Sequence, residues 1–309
     1  MRLLRWIDQS GSGHAAALFG AGLLGGAVEN ALRRAAQVNA TFMPYDWSDP
    51  AARPTQLLDI ARAIPDGARF IDVIWAGGRS GFGSRHEDMD AEQALFAQIL
   101  AFSQTLLAQA SDAAHGFHMI SSAGGLFEGV SHCGADTPPR PLRPYGEGKL
   151  HQEALVHASH GKALRRIYRP SSVYGFQPGG RLGLVTALAS NALTGRTTRI
   201  VGSPHTIRDY VLAEDIGRFM AQELLHPSVG RNLTFLLAGG RPAAMCEMIG
   251  LVEQAVQARV LLQYDPNPSN ALNMSFRPSA LPRRWRPTAL ETGVQRTVSQ
   301  VRRAVLHQS

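Results

Sequence analysis

Apolar positions in the first half of the chain switch repeatedly between two spacings. His14 to Phe19 is a short apolar run ending in glycines, the pattern of a strand buried in a parallel sheet. From Leu23 to Ala36 the apolar residues return with helical spacing. Ala40 to Tyr45 then reads as a strand, closed by Asp46-Trp47-Ser48-Asp49-Pro50, and Gln56 to Ile64 as a helix. Arg69 to Trp75 is a strand that runs into Ala76-Gly77-Gly78, and a long helix covers roughly Asp90 to Gln109. Phe117 to Ser121 and Tyr145 to Ser159 complete the series as strand and helix. Strands alternating with helices imply a parallel sheet with right-handed crossovers, a doubly wound α/β fold. Beyond about Ser171 the pattern loosens, with turns around Gln177 to Arg181 and Pro266 to Asn270, and a second, smaller lobe is expected there. There is no internal repeat and no low-complexity stretch.

Composition narrows the classes. The 309 residues are 44% hydrophobic and 18% charged, which suits one large α/β domain or a core domain with a smaller lobe. The two cysteines, Cys133 and Cys246, lack metal-ligand spacing; we read both as structural and the compartment as reducing, so no metal is expected. The net charge of +7 invites a nucleic-acid partner, but the arginines are scattered without interleaved aromatics, and a small phosphate-bearing molecule answers the field as well. The apolar run from Ala15 to Val28, preceded by Arg2 and Arg5, has the length of a signal-peptide core but holds four glycines, with Asp8 among the leading residues. It is too short to span a bilayer, so a cytoplasmic protein without a membrane partner is expected. One count carries more weight: 29 of the 31 basic residues are arginine, and the only lysines are Lys149 and Lys162.

Candidate chemistry begins at Gly20-Ala21-Gly22-Leu23-Leu24-Gly25, a G-x-G-x-x-G pattern directly after one strand and opening a helix. Glycines there let backbone N–H groups approach a pyrophosphate, whose charge the helix start favours. Asp46 follows Gly25 by 21 residues, about where an acid would bind the adenosine ribose of NAD, or else it only caps its own turn. Arg33 and Arg34 would instead suit a 2′-phosphate, which leaves NADP open beside NAD. Tyr145 and Lys149 stand four apart and share one helix face. An ammonium beside a phenol stabilises the phenolate, so the pair can act in proton transfer. Some 20 residues earlier, Ile120-Ser121-Ser122-Ala123-Gly124-Gly125 ends a strand, and a hydroxyl there would orient a substrate oxygen, Ser122 first and Ser121 second.

In this order the features resemble the extended short-chain dehydrogenase/reductases, within the nucleotide-sugar epimerase/dehydratase family. The resemblance runs from about Ala16 to Arg303. Gly134-Ala135-Asp136-Thr137-Pro138-Pro139 with Pro144-Tyr145-Gly146 is similar to that family's approach to its tyrosine. Arg169-Pro170-Ser171-Ser172-Val173-Tyr174-Gly175 resembles its R-P-x-N-x-Y-G turn, and Arg208-Asp209-Tyr210-Val211 with Glu214-Asp215-Ile216 its R-D-Y-V-H-x-x-D-I segment. Arg284-Trp285-Arg286-Pro287 and Leu290-Glu291-Thr292-Gly293 match its C-terminal helix entry. Departures are equally plain. Phe19 replaces the first glycine of the loop, Ser172 an asparagine, and Leu212 a histidine, and the phosphate-binding arginine has no counterpart near Asn270 to Phe276. The stretch from Gly25 to Ala76 is short, so one early strand is missing or merged, and Asp46 would then contact adenine.

The resemblance implies a Rossmann-type NAD(P)-binding domain of residues 1–170 with about 206–235, and a substrate-binding lobe of 171–205 and 236–309. It implies that Gly20, Gly22, Leu23, Leu24, Gly25, Asp46, Ala76, Gly77, Gly78, Ser121, Tyr145, Lys149, Arg169, Pro170 and Ser172 hold the cofactor. Tyr145, Lys149 and Ser122 would be catalytic, and Ser122, Ala123, Ser172 and Arg208 would meet a nucleotide sugar. The activity implied is epimerisation by transient oxidation of a sugar hydroxyl. A ketoreductase with the same pair is the alternative. A 4,6-dehydratase ranks below it, since Ala123 and Gly124 stand where an acid pair would be needed. A cofactor-sensing protein without catalysis and a nucleic-acid binder are weaker still. A homodimer is expected through Ala94, Phe96, Ile99, Phe102 and Leu106 of the long helix with Leu150, Ala154 and Leu155; otherwise these residues pack on the sheet.

Overall fold

The computed structural model describes residues 1–109, 114–159, 163–180, 182–230, 232–265 and 271–306. The turn expected at Pro266 to Asn270 lies outside the described residues, as do Arg181 and Lys162. The chain opens with β1 (Arg2–Ile7), β2 (Gly13–Phe19), α1 (Leu23–Ala35), β3 (Asn39–Phe42), α2 (Arg53–Arg62), β4 (Ala68–Trp75) and α3 (His86–Gln109). It continues through β5 (Ala114–Ile120), α4 (Ala123–Leu126), α5 (Pro144–Ala158), β6 (Leu164–Pro170), β7 (Ser172–Tyr174), α6 (Leu184–Leu193) and β8 (Thr197–Val201). The last part comprises β9 (Ile207–Leu212), α7 (Ala213–Leu225), β10 (Asn232–Leu237), β11 (Pro242–Ala244), α8 (Met245–Val256), β12 (Leu261–Asp265) and α9 (Leu290–Leu306).

Seven strands form the main sheet in the order β10-β6-β5-β4-β2-β1-β3. From β10 to β2 every neighbour is parallel, as the alternation of strands and helices requires. The exception is β1, which lies antiparallel between β2 and β3. This accounts for the short stretch between Gly25 and Ala76. The place beside β2 that a further βα unit would fill is taken by residues from the N-terminal side of the glycine loop. The hydrophobic pattern hides β1 because Arg2 and Arg5 interrupt it. Their charges are met locally: Arg5 donates to Thr41 Oγ1 at 2.9 Å, and Arg2 lies 3.6 Å from Glu29. Between them Leu3 and Leu4 are buried on opposite faces of the sheet. The run from Ala15 to Val28 is likewise core, split into β2, the loop and the start of α1.

Helices cover both faces of this sheet. On one, α3 packs Phe96, Ile99, Phe102 and Leu106 against β2, β4 and β5. These four residues were expected at a dimer interface; they belong to the core of the single chain, and of the residues expected there Ala94 and Ala154 are exposed. On the other face, α1 and α7 touch backbone to backbone at Gly217, where any side chain would overlap the Ala27 carbonyl. On this same face runs a buried polar row: Asp72 on β4, His118 on β5 at 3.2 Å, and Tyr168 on β6 at 2.8 Å from His118. Burial pushes the Tyr168 phenol well above its usual range. A three-stranded sheet, β11-β9-β7, and the pair β12-β8 stand apart from the main sheet, with an apolar cluster from α6, α8 and α9. Among the described residues no helix is long and apolar enough to cross a membrane. Gly217→Ala is expected to cost about 1–3 kcal/mol by overpacking the α1–α7 contact, measured by denaturant unfolding.

Candidate active site

The site is built at the carboxyl end of the parallel strands, where β2 turns into α1. Gly20 has φ of +102°, open to glycine and strained for other residues. A side chain at Gly25 would overlap the Gly20 carbonyl, and one at Gly20 would come within 2.5 Å of the Ala76 backbone. Helix α1 begins at Leu23 without a side-chain cap, and Gly22 faces open space. A cleft of about 1070 Å³ starts here and is lined by Gly20, Gly22, Trp47, Ala76, Gly77, Gly78 and Glu92 among others. The bare loop at a helix start fits a dinucleotide pyrophosphate, because a Cβ at Gly22 would fill the space that the phosphates need. Leu23 and Leu24 sit below the loop: Leu23 Cδ1 would be 3.3 Å from a Cβ at Gly175, and Leu24 packs on the core.

Asp46 lies beyond the end of β3, two strands from β2, and its Oδ1 accepts from Ser48 N at 2.8 Å, Ser48 Oγ at 2.7 Å and Asp49 N at 3.1 Å. The Ser48 hydrogen bonds hold its carboxyl below the usual range. It caps its own turn, while the next residue, Trp47, reaches the cleft and lies against Gly77. That tryptophan was not singled out in the sequence, and its only signal there is adjacency to Asp46.

Close glycine contacts also assemble the far end. A side chain at Gly146 on α5 would overlap the Gly125 carbonyl of α4, and one at Gly125 would lie 3.0 Å from the Tyr145 ring. The two helices therefore meet, and α4, with Ser122 at its N-cap, packs on Tyr145 through Gly125. Ser122 Oγ accepts from Gly125 N at 3.0 Å, which leaves its proton for another acceptor. Ser121 is committed elsewhere: its hydroxyl donates to Glu153 at 2.5 Å, and Glu153 also takes both arms of Arg169 at 2.9 and 2.5 Å. Arg169 is thus a clamp within the fold, stacked 5.7 Å above the Phe127 ring, with Pro170 and Ser172 following in β6 and β7. Ala123 is fully buried with Leu126 and Phe127. Arg208 donates to the Leu272 carbonyl, and burial works against its charge while Glu128 supports it.

Tyr145 and Lys149 share the inner face of α5, with the ammonium 5.8 Å from the centre of the phenol ring. Lys149 is buried and donates to Glu92 Oε1 at 2.8 Å and Gln152 Oε1 at 3.1 Å. Phe82, from the loop after β4, covers Tyr145 with a ring separation of 5.9 Å, and Arg143 lies 5.3 Å over Phe82 while paired to Glu128. Neither Glu92 nor Phe82 carries a sequence signal, because each is brought in by tertiary packing.

The sequence matches the family model described as the NAD dependent epimerase/dehydratase family over residues 26–238. The chain belongs to that family. The match begins inside α1, so β1, β2 and the glycine loop precede it. The UDP-glucose 4-epimerase of Mycolicibacterium smegmatis is 32% identical over 108 residues, 31% of this chain and 33% of that protein. The matched stretch therefore spans about a third of that relative's length. Among solved structures, the UDP-glucose 4-epimerase of Thermus thermophilus in complex with NAD superposes with TM-score 0.74 at 20% identity, covering 93% of this chain and 98% of that one. RMD from Pseudomonas aeruginosa complexed with NADPH gives 0.71 at 17% identity, covering 94% and 97%. These two share the fold, a mixed α/β architecture on a mostly parallel sheet.

Two family segments have measurable structural roles. Asp209, in the Arg208-Asp209-Tyr210-Val211 segment, is fully buried and accepts from Gly239 N at 2.5 Å and Gly240 N at 3.2 Å, and burial pushes its carboxyl up to about 6. The unfolded chain loses this proton first, so the carboxyl's contribution is present below about pH 4 and is lost as pH rises through 6. Asp209→Asn is expected to gain up to about 3 kcal/mol relative to the unsubstituted protein between pH 4 and 7, by denaturant unfolding at both. Lys149→Met would leave Glu92 buried without its counter-charge. A loss of about 3–5 kcal/mol is expected, with much of it recovered when Glu92→Gln is added.

Proposed function

We propose that the protein is an NAD(P)-dependent nucleotide-sugar epimerase in which Tyr145 transfers the proton, Lys149 supports it and Ser122 orients the substrate oxygen. The observation that carries this is the Tyr145–Lys149 pair on α5, its ammonium buried against Glu92 of the glycine-walled cleft, with α4, which Ser122 caps, packed on Tyr145 through Gly125. Tyr145 would take the proton of a sugar hydroxyl, and a cation beside a phenol favours the phenolate that does so. Ser122 is preferred to Ser121 because its proton is uncommitted in α4, whereas the Ser121 proton goes to Glu153. A nicotinamide supplies the hydride acceptor when bound, and Gly20, Gly22, Gly77 and Gly78 are the residues that would let the dinucleotide that carries it approach. The UDP-glucose 4-epimerase relatives support a nucleotide sugar as substrate, which Arg208 would meet.

Two free cysteines fit a reducing, cytoplasmic setting. A homodimer through α3 and α5 would rest on Ala94 and Ala154, with Leu150 and Leu155 half-buried.

The test is to offer UDP- and dTDP-sugars to the purified protein with and without NAD(P)H. Sugar interconversion without net cofactor consumption is expected, and stoichiometric loss of NAD(P)H would make it a reductase instead. Tyr145→Phe should lower turnover at least about 100-fold. Full turnover in that variant would remove the tyrosine from the mechanism.

A further inference from the structure

Glu92 is a buried carboxylate that the proton-transfer scheme does not use. It sits near the start of α3 at 5% exposure and lines the cleft. Its Oε1 accepts from Lys149 Nζ at 2.8 Å and from Gln152 Nε2 at 3.2 Å, and its Oε2 accepts from Ser80 N at 3.2 Å. A Cβ at Gly78 would lie 3.1 Å from both carboxylate oxygens. One carboxylate therefore joins α5, through the lysine, to the loop that forms one wall of the cleft. The cost of burying it is offset by the ammonium and by two further hydrogen-bond donors, Gln152 and Ser80, and its carboxyl is held low against that burial by Lys149.

The surrounding charges have other partners. Glu147 on α5 is exposed and 3.6 Å from His86. Glu153 is held by Arg169 and Ser121, and Arg143 by Glu128. Asp88 accepts from Arg85 N at the start of α3. Among the described residues, Glu92 is the carboxylate that contacts the Lys149 ammonium. The ammonium donates to Glu92 and Gln152, and its nitrogen lies 5.8 Å from the centre of the Tyr145 ring.

We propose that Glu92 is a positioning residue that sets the working pH of the Tyr145–Lys149 pair and couples it to the cleft loop through Ser80. This deepens the function above and rests on that assignment of the pair. The carboxylate offsets part of the ammonium charge that favours the tyrosinate. Removing the carboxylate charge therefore strengthens the pull of the ammonium on the phenol. A ligand that shifts the Gly78–Ser80 backbone also shifts the carboxylate, and with it the charge felt at Tyr145.

Glu92→Gln tests this by keeping the shape and removing the charge. The acid limb of kcat/KM should move about one pH unit lower. One unit below the original midpoint, the variant would then run at about fivefold the fraction of its maximum rate that the unsubstituted protein reaches. The ligand-free protein supplies an independent readout: tyrosinate absorbance against pH, taken as a difference from Tyr145→Phe, should shift by the same amount. Gln152→Met removes a neutral acceptor from the same ammonium and should leave the midpoint in place. An unmoved or raised midpoint in Glu92→Gln overturns the proposal, as does an equal shift in Gln152→Met. If Glu92→Gln does not fold, Gln152→Glu places a second carboxylate on the ammonium and must raise the midpoint; an unchanged value overturns the idea. Full turnover in Tyr145→Phe would instead mean that the assignment of the pair itself had failed.

Discussion

Backbone touching backbone at the carboxyl ends of the strands is the constraint on which the site depends. Between Gly20 and Gly25, and again between Gly125 and Gly146, a single Cβ would overlap a carbonyl oxygen. The first contact bends β2 sharply into α1 and leaves the helix start bare toward the cleft. The second lets the four-residue helix after β5, capped by Ser122, lie against α5 at Tyr145. Packing of this kind tolerates little volume, since interiors are close to crystalline density. The cleft and the proton-transfer pair thus follow from where side chains are absent.

Charges around the site are handled in small closed groups. Glu92 serves Lys149, Glu153 serves Arg169 and Ser121, and Glu128 serves Arg143. Each carboxylate has 5% or less of its side chain exposed, so each ion pair works in a weakly screened setting. Removing one partner leaves a stranded charge, which costs far more than the intact pair contributes. These groups hold the ends of α5 and β6 in register, and they also decide which hydroxyl keeps a proton to give. Ser121 lies one residue from Ser122 and is spent inside its cluster.

The alternation of strands and helices was legible because burial on both sheet faces forces apolar runs, and helices over a sheet force a regular spacing. Helix starts were read late at α2 and α3: Pro54 lies in the first turn of α2, and polar residues open α3 at His86. Strand β1 was not legible. Its arginines break the pattern, and their compensation by Thr41 and Glu29 exists only once β3 and α1 are in place. The same holds for Trp47, Phe82 and Glu92, whose neighbours in space are distant in sequence. Four of the five α3 residues expected between subunits point into the chain's own core, because an apolar helix face alone does not say which surface covers it.

By itself the sequence determined the parallel α/β plan, the glycine loop at the head of α1, and the placement of Tyr145 and Lys149 on one helix face. These are local consequences of periodicity, of glycine's missing side chain and of a four-residue spacing. Only the tertiary structure decided that β1 fills the place beside β2, that Trp47 and not Asp46 reaches the cleft, and that Glu92 faces the lysine. Strand order, burial and charge pairing depend on contacts between distant segments, and no local pattern encodes them.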